Sequence, residues 1–172
     1  MRTLGATRTF TRIAAAAVII VGLTSAAEAA NTTASLAVSS TVSNNCTIST
    51  TPLGFGSYDP VGNNASTGTD ATGSGAVVIA CTKGASANIE LGNGGGSDAN
   101  SRRLVSGANL LPYQLYRADA STVWGSGVGT GAVSYTSLTK AQQSLTVQGK
   151  IPKGADVPAG TYEDTIVATI NF

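Results

Sequence analysis

Few residues in this chain are of types that do covalent chemistry. Cys46 and Cys81 are its only cysteines, and it has no histidine. Without an imidazole, a serine or cysteine nucleophile lacks its usual base, and two thiolates have no nitrogen ligands to complete a zinc site. Ser137 and Lys140 match a Ser-x-x-Lys spacing, but the Ser-Asp-Asn and Lys-Thr-Gly signatures that accompany a lysine base are missing. Glu163 and Asp164 are adjacent, so on a strand they point to opposite faces and cannot flank one substrate. Asp164 is expected instead to pin the start of the last strand. Residues 94–98 resemble a single calcium-binding repeat without tandem neighbours, and the alternating glycines of 125–131 precede no helix that could hold a pyrophosphate. Arg102 and Arg103 read as a solvated pair at a loop edge. No catalytic residue, metal ligand or cofactor is expected.

The two cysteines have a simpler use. Arg2, Arg8 and Arg12 precede an apolar run over residues 13–23, and Ala27 and Ala29 offer the small residues a signal peptidase reads. Eleven apolar residues fall short of the ~20 needed to cross a bilayer. Residues 1–29 therefore read as a signal peptide, with cleavage after Ala29. In an oxidising compartment Cys46 and Cys81 most simply form one disulfide, stabilising the fold by roughly 3–4 kcal/mol.

Removing residues 1–29 takes away Arg2, Arg8, Arg12 and Glu28, leaving seven basic and eight acidic residues. That balance excludes the basic field nucleic acid requires, and it supplies no polybasic patch for a membrane surface. The remaining 143 residues suit one domain with one core.

Positioning is left to strands. No stretch keeps helical periodicity over a dozen residues without glycine or proline. Short β-rich runs occur at 36–42, 46–49, 53–58, 76–81, 88–91, 110–117, 144–151 and 162–172, with a weaker one at 133–138. Glycine-rich connections separate them, and the pattern predicts an all-β antiparallel sandwich. The run at 76–81 is continuously apolar, as expected at a sheet centre.

The two ends stand out. Tyr162, Ile166, Ala168, Ile170 and Phe172 share one face of the last run, so a strand with an apolar face continues to the last residue. Near the start, Ala34, Leu36, Val38, Ser40 and Val42 form a second alternating face ahead of Cys46. One spare strand at each end is the arrangement of a subunit that completes its neighbour.

An ordered series of motifs then carries a family resemblance. Asn45-Cys46-Thr47-Ile48, Leu53-Gly54-Phe55-Gly56-Ser57-Tyr58 and Leu111-Pro112-Tyr113-Gln114-Leu115-Tyr116 come first. Trp124-Gly125, Gly149-Lys150-Ile151-Pro152-Lys153-Gly154, Pro158-Ala159-Gly160-Thr161-Tyr162 and Asp164-Thr165-Ile166 follow. The series resembles the spore coat protein U domain, a family that includes subunits of archaic chaperone–usher pili. The resemblance implies an incomplete immunoglobulin-like sandwich, held by a periplasmic chaperone and then completed at an outer-membrane usher by the next subunit's N-terminal segment.

On that basis residues 30–43 are expected to be a donor segment and 44–172 the sandwich. Ala34, Leu36, Val38, Ser40 and Val42 would enter an acceptor groove along Ile166, Ala168, Ile170 and Phe172. The expected product is a homopolymer, a shaft-type surface fibre supporting adhesion and biofilm formation, with neither nucleic-acid binding nor membrane insertion. Two alternatives are a secreted spore-coat or matrix protein, and a monomeric carbohydrate-binding sandwich. The latter would use Tyr113, Tyr116, Trp124 and Tyr135 as a stacking platform, although core packing is the preferred reading of those rings.

Overall fold

The computed structural model describes residues 28–127 and 131–172. Nearly all of the expected signal peptide therefore lies outside the described residues. The chain divides into two units, Met1–Ser39 and Ser40–Phe172. Residues 28–45 form no strand, and Leu36, Val38 and Val42 are each more than four-fifths exposed. The expected strand over 36–42 is thus absent from the single chain.

The second unit is an antiparallel β-sandwich. Its strands are β1 (Cys46–Thr51), β2 (Ala71–Cys81), β3 (Ser86–Leu91), β4 (Arg103–Ser106), β5 (Asn109–Pro112), β6 (Gln114–Tyr116), β7 (Val133–Thr136), β8 (Gln143–Ile151) and β9 (Ala168–Asn171). One sheet has the order β1-β2-β8-β6 and the other β7-β3-β9, with β4-β5 as a separate ribbon. β1 and β9 are edge strands of different sheets, and they lie near each other.

β2 sits between β1 and β8, which accounts for the unbroken apolar run at its end. Val77, Ile79 and Cys81 are buried there. β2 begins five residues earlier than expected and passes through Gly73 and Gly75. A Cβ at Gly73 would collide with the Gly54 carbonyl, and one at Gly75 would lie 2.9 Å from the Thr51 carbonyl. One at Gly149 of β8 would lie 2.8 Å from both Leu53 and Phe55. The three glycines leave a bare patch on which residues 51–55 rest. These glycines serve close approach, as glycine inside a strand often does.

The expected strand 110–117 divides at Pro112 and Tyr113. β5 pairs with β4 and β6 pairs with β8, so the chain changes sheet at a residue without an N–H. Residues 53–58 have no ladder partner, and only Ala168–Asn171 of the expected 162–172 is regular strand. The reason is reach: β3 ends at Leu91, opposite Ala168. Side-chain burial nonetheless alternates without a break from Tyr162 to Ile170.

Trp124 lies at the centre of the core, 1 % exposed, and its indole N–H donates to the Ile89 carbonyl at 3.0 Å. Tyr113 is also buried. Two of the four rings of the alternative stacking platform are thus core residues, and that surface does not exist.

Cys46 and Cys81 are direct register partners and form the disulfide, with 4.1 Å between their Cα atoms. It ties the edge strand β1 to the central β2.

Arg102 overturns its reading as solvated: it is 1 % exposed. Its Nε donates to Gly92 O at 3.0 Å and Nη1 to Gln114 Oε1 at 2.9 Å, while Nη2 lies 2.8 Å from Trp124 O, 2.8 Å from Gly92 O and 3.1 Å from Leu91 O. Three segments without a shared ladder meet on one planar donor fork, a geometry lysine lacks. Arg103 is the exposed member of the pair.

Candidate functional site

The sandwich is open along one side. A cavity of 260 Å³ lies between Thr50–Leu53 on one wall and Ile166 and Ala168 on the other, over Val77, Leu91 and Val147. A second, of 810 Å³, adjoins it between residues 53–58 and 157–165. Both are lined by Leu53, Phe55, Leu104, Asp164 and Thr165, so together they trace one groove.

Each wall has an open backbone. Among the described residues, no backbone–backbone hydrogen bond involves residues 52–58, Asp164 or Ile166. On the second wall the pattern is set by alternation. Glu163 exchanges both bonds with Val105, and Val167 O accepts from Gly92 N at 2.9 Å. Odd-numbered residues thus face the neighbouring strand, and Asp164, Ile166 and Ala168 turn N–H and C=O toward the groove. Their side chains point inward. Unpaired donors and acceptors on two facing edges are a template for an added strand.

A hydrogen-bonded pair links the floor to the second wall. Tyr113 Oη donates to Asp164 Oδ2 at 2.6 Å. Asp164 Oδ1 accepts from the N–H groups of Gly95 at 3.0 Å and Thr165 at 2.8 Å. Burial, followed by the bond to Asp164, pushes the Tyr113 phenol well above its usual range. Gly94, at φ 58°, passes so close to the Asp164 carboxylate that a Cβ there would collide with it. The ring of Tyr113 meets that of Phe55 edge-on, with centroids 5.9 Å apart. Tyr113 therefore braces both walls.

The expected groove residues are divided by this geometry. Ile166 and Ala168 line the smaller cavity. Ile170 packs on the core but lines neither cavity, and Phe172 is 57 % exposed. Sequence reasoning omitted the opposite wall, residues 50–58, although the spacing of Leu53, Phe55 and Tyr58 between glycines was its signal. It did expect a pinning role for Asp164, which the three hydrogen bonds provide. Among the described residues, no group of His, Cys, Asp or Glu could hold a metal ion.

The profile of the Spore Coat Protein U domain matches residues 32–169. The chain belongs to this family. Protein U of Myxococcus xanthus is 37 % identical over 161 residues, covering 86 % of this chain and 89 % of that one. The spore coat U fold also resembles a chain in the crystal structure of the CsuC–CsuE chaperone–tip adhesion subunit pre-assembly complex, from the archaic chaperone–usher Csu pili of Acinetobacter baumannii. The TM-score there is 0.54 at 25 % identity, over 77 % of this chain. This chain spans only 40 % of that one's length.

Proposed function

We propose that this spore coat U protein is a structural subunit of a surface fibre, assembled by donor-strand exchange. The observation that carries the reading is the groove walled by two edges that, among the described residues, make no backbone–backbone hydrogen bond across it. Strand addition to an open sheet edge is an established recognition mode, used between chaperones and pilins. The exposed, alternating segment 30–43 would be the donor and 44–172 the acceptor body. Burying Leu36, Val38 and Val42 would contribute roughly 1.5–3 kcal/mol each, with ladder bonds on both sides. The resemblance to a chain of the Csu complex supports a periplasmic chaperone as the first partner, with an outer-membrane usher and identical subunits following. The protein would cross the periplasm after cleavage at Ala29 and end in a fibre outside the cell, serving adhesion and biofilm formation with no catalytic role.

The test is a denaturing gel of unboiled samples. A ladder of multimers is expected, lost in Leu36→Asp with the Cys46–Cys81 bridge intact. An undiminished ladder in that variant contradicts the donor assignment. A second reading, a secreted coat or matrix protein, is favoured by the identity with Protein U. Electron microscopy separates the two, since thin filaments on cells support the first and an amorphous layer the second.

A further inference from the structure

Resting on the donor-strand reading, the register of the inserted segment follows from the side chains on each side. We infer that residues 34–42 of a second copy enter the groove antiparallel to β9, with Ser40 opposite Asp164 and Leu36 opposite Ala168.

Along the β9 wall the inward residues are Tyr162, Asp164, Ile166, Ala168 and Ile170. In size and polarity they run large, charged, large, small, large. The donor face runs Ala34, Leu36, Val38, Ser40, Val42. In an antiparallel pair, each step of two along one strand is a step of two back along the other. Placing Ser40 at Asp164 sets Val42 at Tyr162, Val38 at Ile166, Leu36 at Ala168 and Ala34 at Ile170. The largest donor residue then meets the smallest wall residue, above Leu91 and Val147 in the smaller cavity. The smallest donor residue meets Ile170, where neither cavity reaches.

Other registers lose this match. Sliding the antiparallel segment by two in either direction buries Val42 or Val38 against the Asp164 carboxylate, which costs free energy with no hydrogen bond in return. In a parallel arrangement, Ser40 at Asp164 puts Leu36 at Gly160, and Leu36 at Ala168 puts Ser40 at Phe172. The first keeps Ser40 at Asp164 but takes Leu36 to exposed Gly160, outside the smaller cavity, and sets Asn44 opposite Ala168; the second sets Ser40 against Phe172.

The carboxylate has room for the contact. It already accepts from Tyr113, Gly95 and Thr165, and a carboxylate offers about four acceptor sites. The Ser40 hydroxyl takes the remaining one. Asp164, lining both cavities, is thereby a register pin in the groove.

Cysteine pairing reads the register. In full-length chains, Leu36→Cys is combined with Ile166→Cys, Ala168→Cys or Ile170→Cys, and multimers are boiled without reductant. Opposed residues of a hydrogen-bonded antiparallel pair lie about 5.5 Å apart at Cα, within disulfide range. The covalent ladder is expected to be several-fold stronger with Ala168→Cys than with the other two. A maximum at position 166 or 170 overturns the register and leaves donor exchange standing. Non-covalent multimers that cross-link at none of the three contradict occupation of the groove itself. Should Leu36→Cys fail to assemble, Val38→Cys with Ile166→Cys reports the same register. Ser40→Val is expected to reduce multimer yield and Ser40→Thr to preserve it; equal yields overturn the pairing with Asp164.

Discussion

Tyr113 donates its phenolic hydrogen to Asp164 Oδ2 at 2.6 Å while its ring packs edge-on against Phe55. One buried side chain thus spaces the two walls of the groove. Its pKa is raised by burial and by the bond to Asp164, so the folded state retains a proton that the unfolded chain releases near pH 10. Stability from this group is complete below about pH 10 and declines as pH rises beyond it. Tyr113→Phe is expected to cost about 1.5–3 kcal/mol at neutral pH and to flatten the decline above pH 10. Denaturant midpoints of both proteins between pH 8 and 11 check this.

Arg102 anchors the carbonyls of Leu91, Gly92 and Trp124. Arg102→Met strands buried acceptors at about 1–3 kcal/mol each, so a loss of at least about 3 kcal/mol is expected. Arg102→Lys should recover only part of it, because the lysine ammonium reaches one atom less far and cannot also replace the Nε and Nη1 bonds to Gly92 and Gln114. Urea unfolding of the two variants measures the difference.

Period-two alternation made the sandwich legible, together with its central strand at 76–81 and the inward face of 162–170, although not the exposed Phe172. The cysteine pair was equally plain from compartment and count. Contacts dependent on tertiary placement were not. Arg102 next to Arg103 has the look of a surface pair, and only the convergence of three segments makes it a core residue. Gly73 and Gly75 read as part of a glycine-rich connection and Gly149 as a residue of the expected strand 144–151, and only the structure shows residues 51–55 lying across all three. The segment 36–42 has strand patterning, yet among the described residues it forms no strand, and the proposed donor role would account for that periodicity.

The bare glycine patch supports a further prediction. Gly73→Val would drive a side chain into the Gly54 carbonyl and lift the 51–55 wall. Overpacking of this kind costs typically 1–3 kcal/mol, and multimer yield should fall more than stability does. Thermal unfolding and the unboiled gel, run side by side, separate the two effects.

Among the described residues β1 pairs with β2 alone, and Cys46–Cys81 holds it there. Replacing both cysteines with serine is expected to destabilise the body by roughly 3–4 kcal/mol on the chain-entropy model. The shift in guanidinium midpoint measures it.

Amide hydrogen exchange of the assembled multimer against the unassembled chain bears most directly on the groove. Slowed exchange is expected at Leu53, Phe55, Ile166 and Ala168 together with residues 34–42, because both walls gain ladder bonds from the same inserted segment. Multimers whose wall amides exchange as fast as those of the single chain would show that assembly uses another surface.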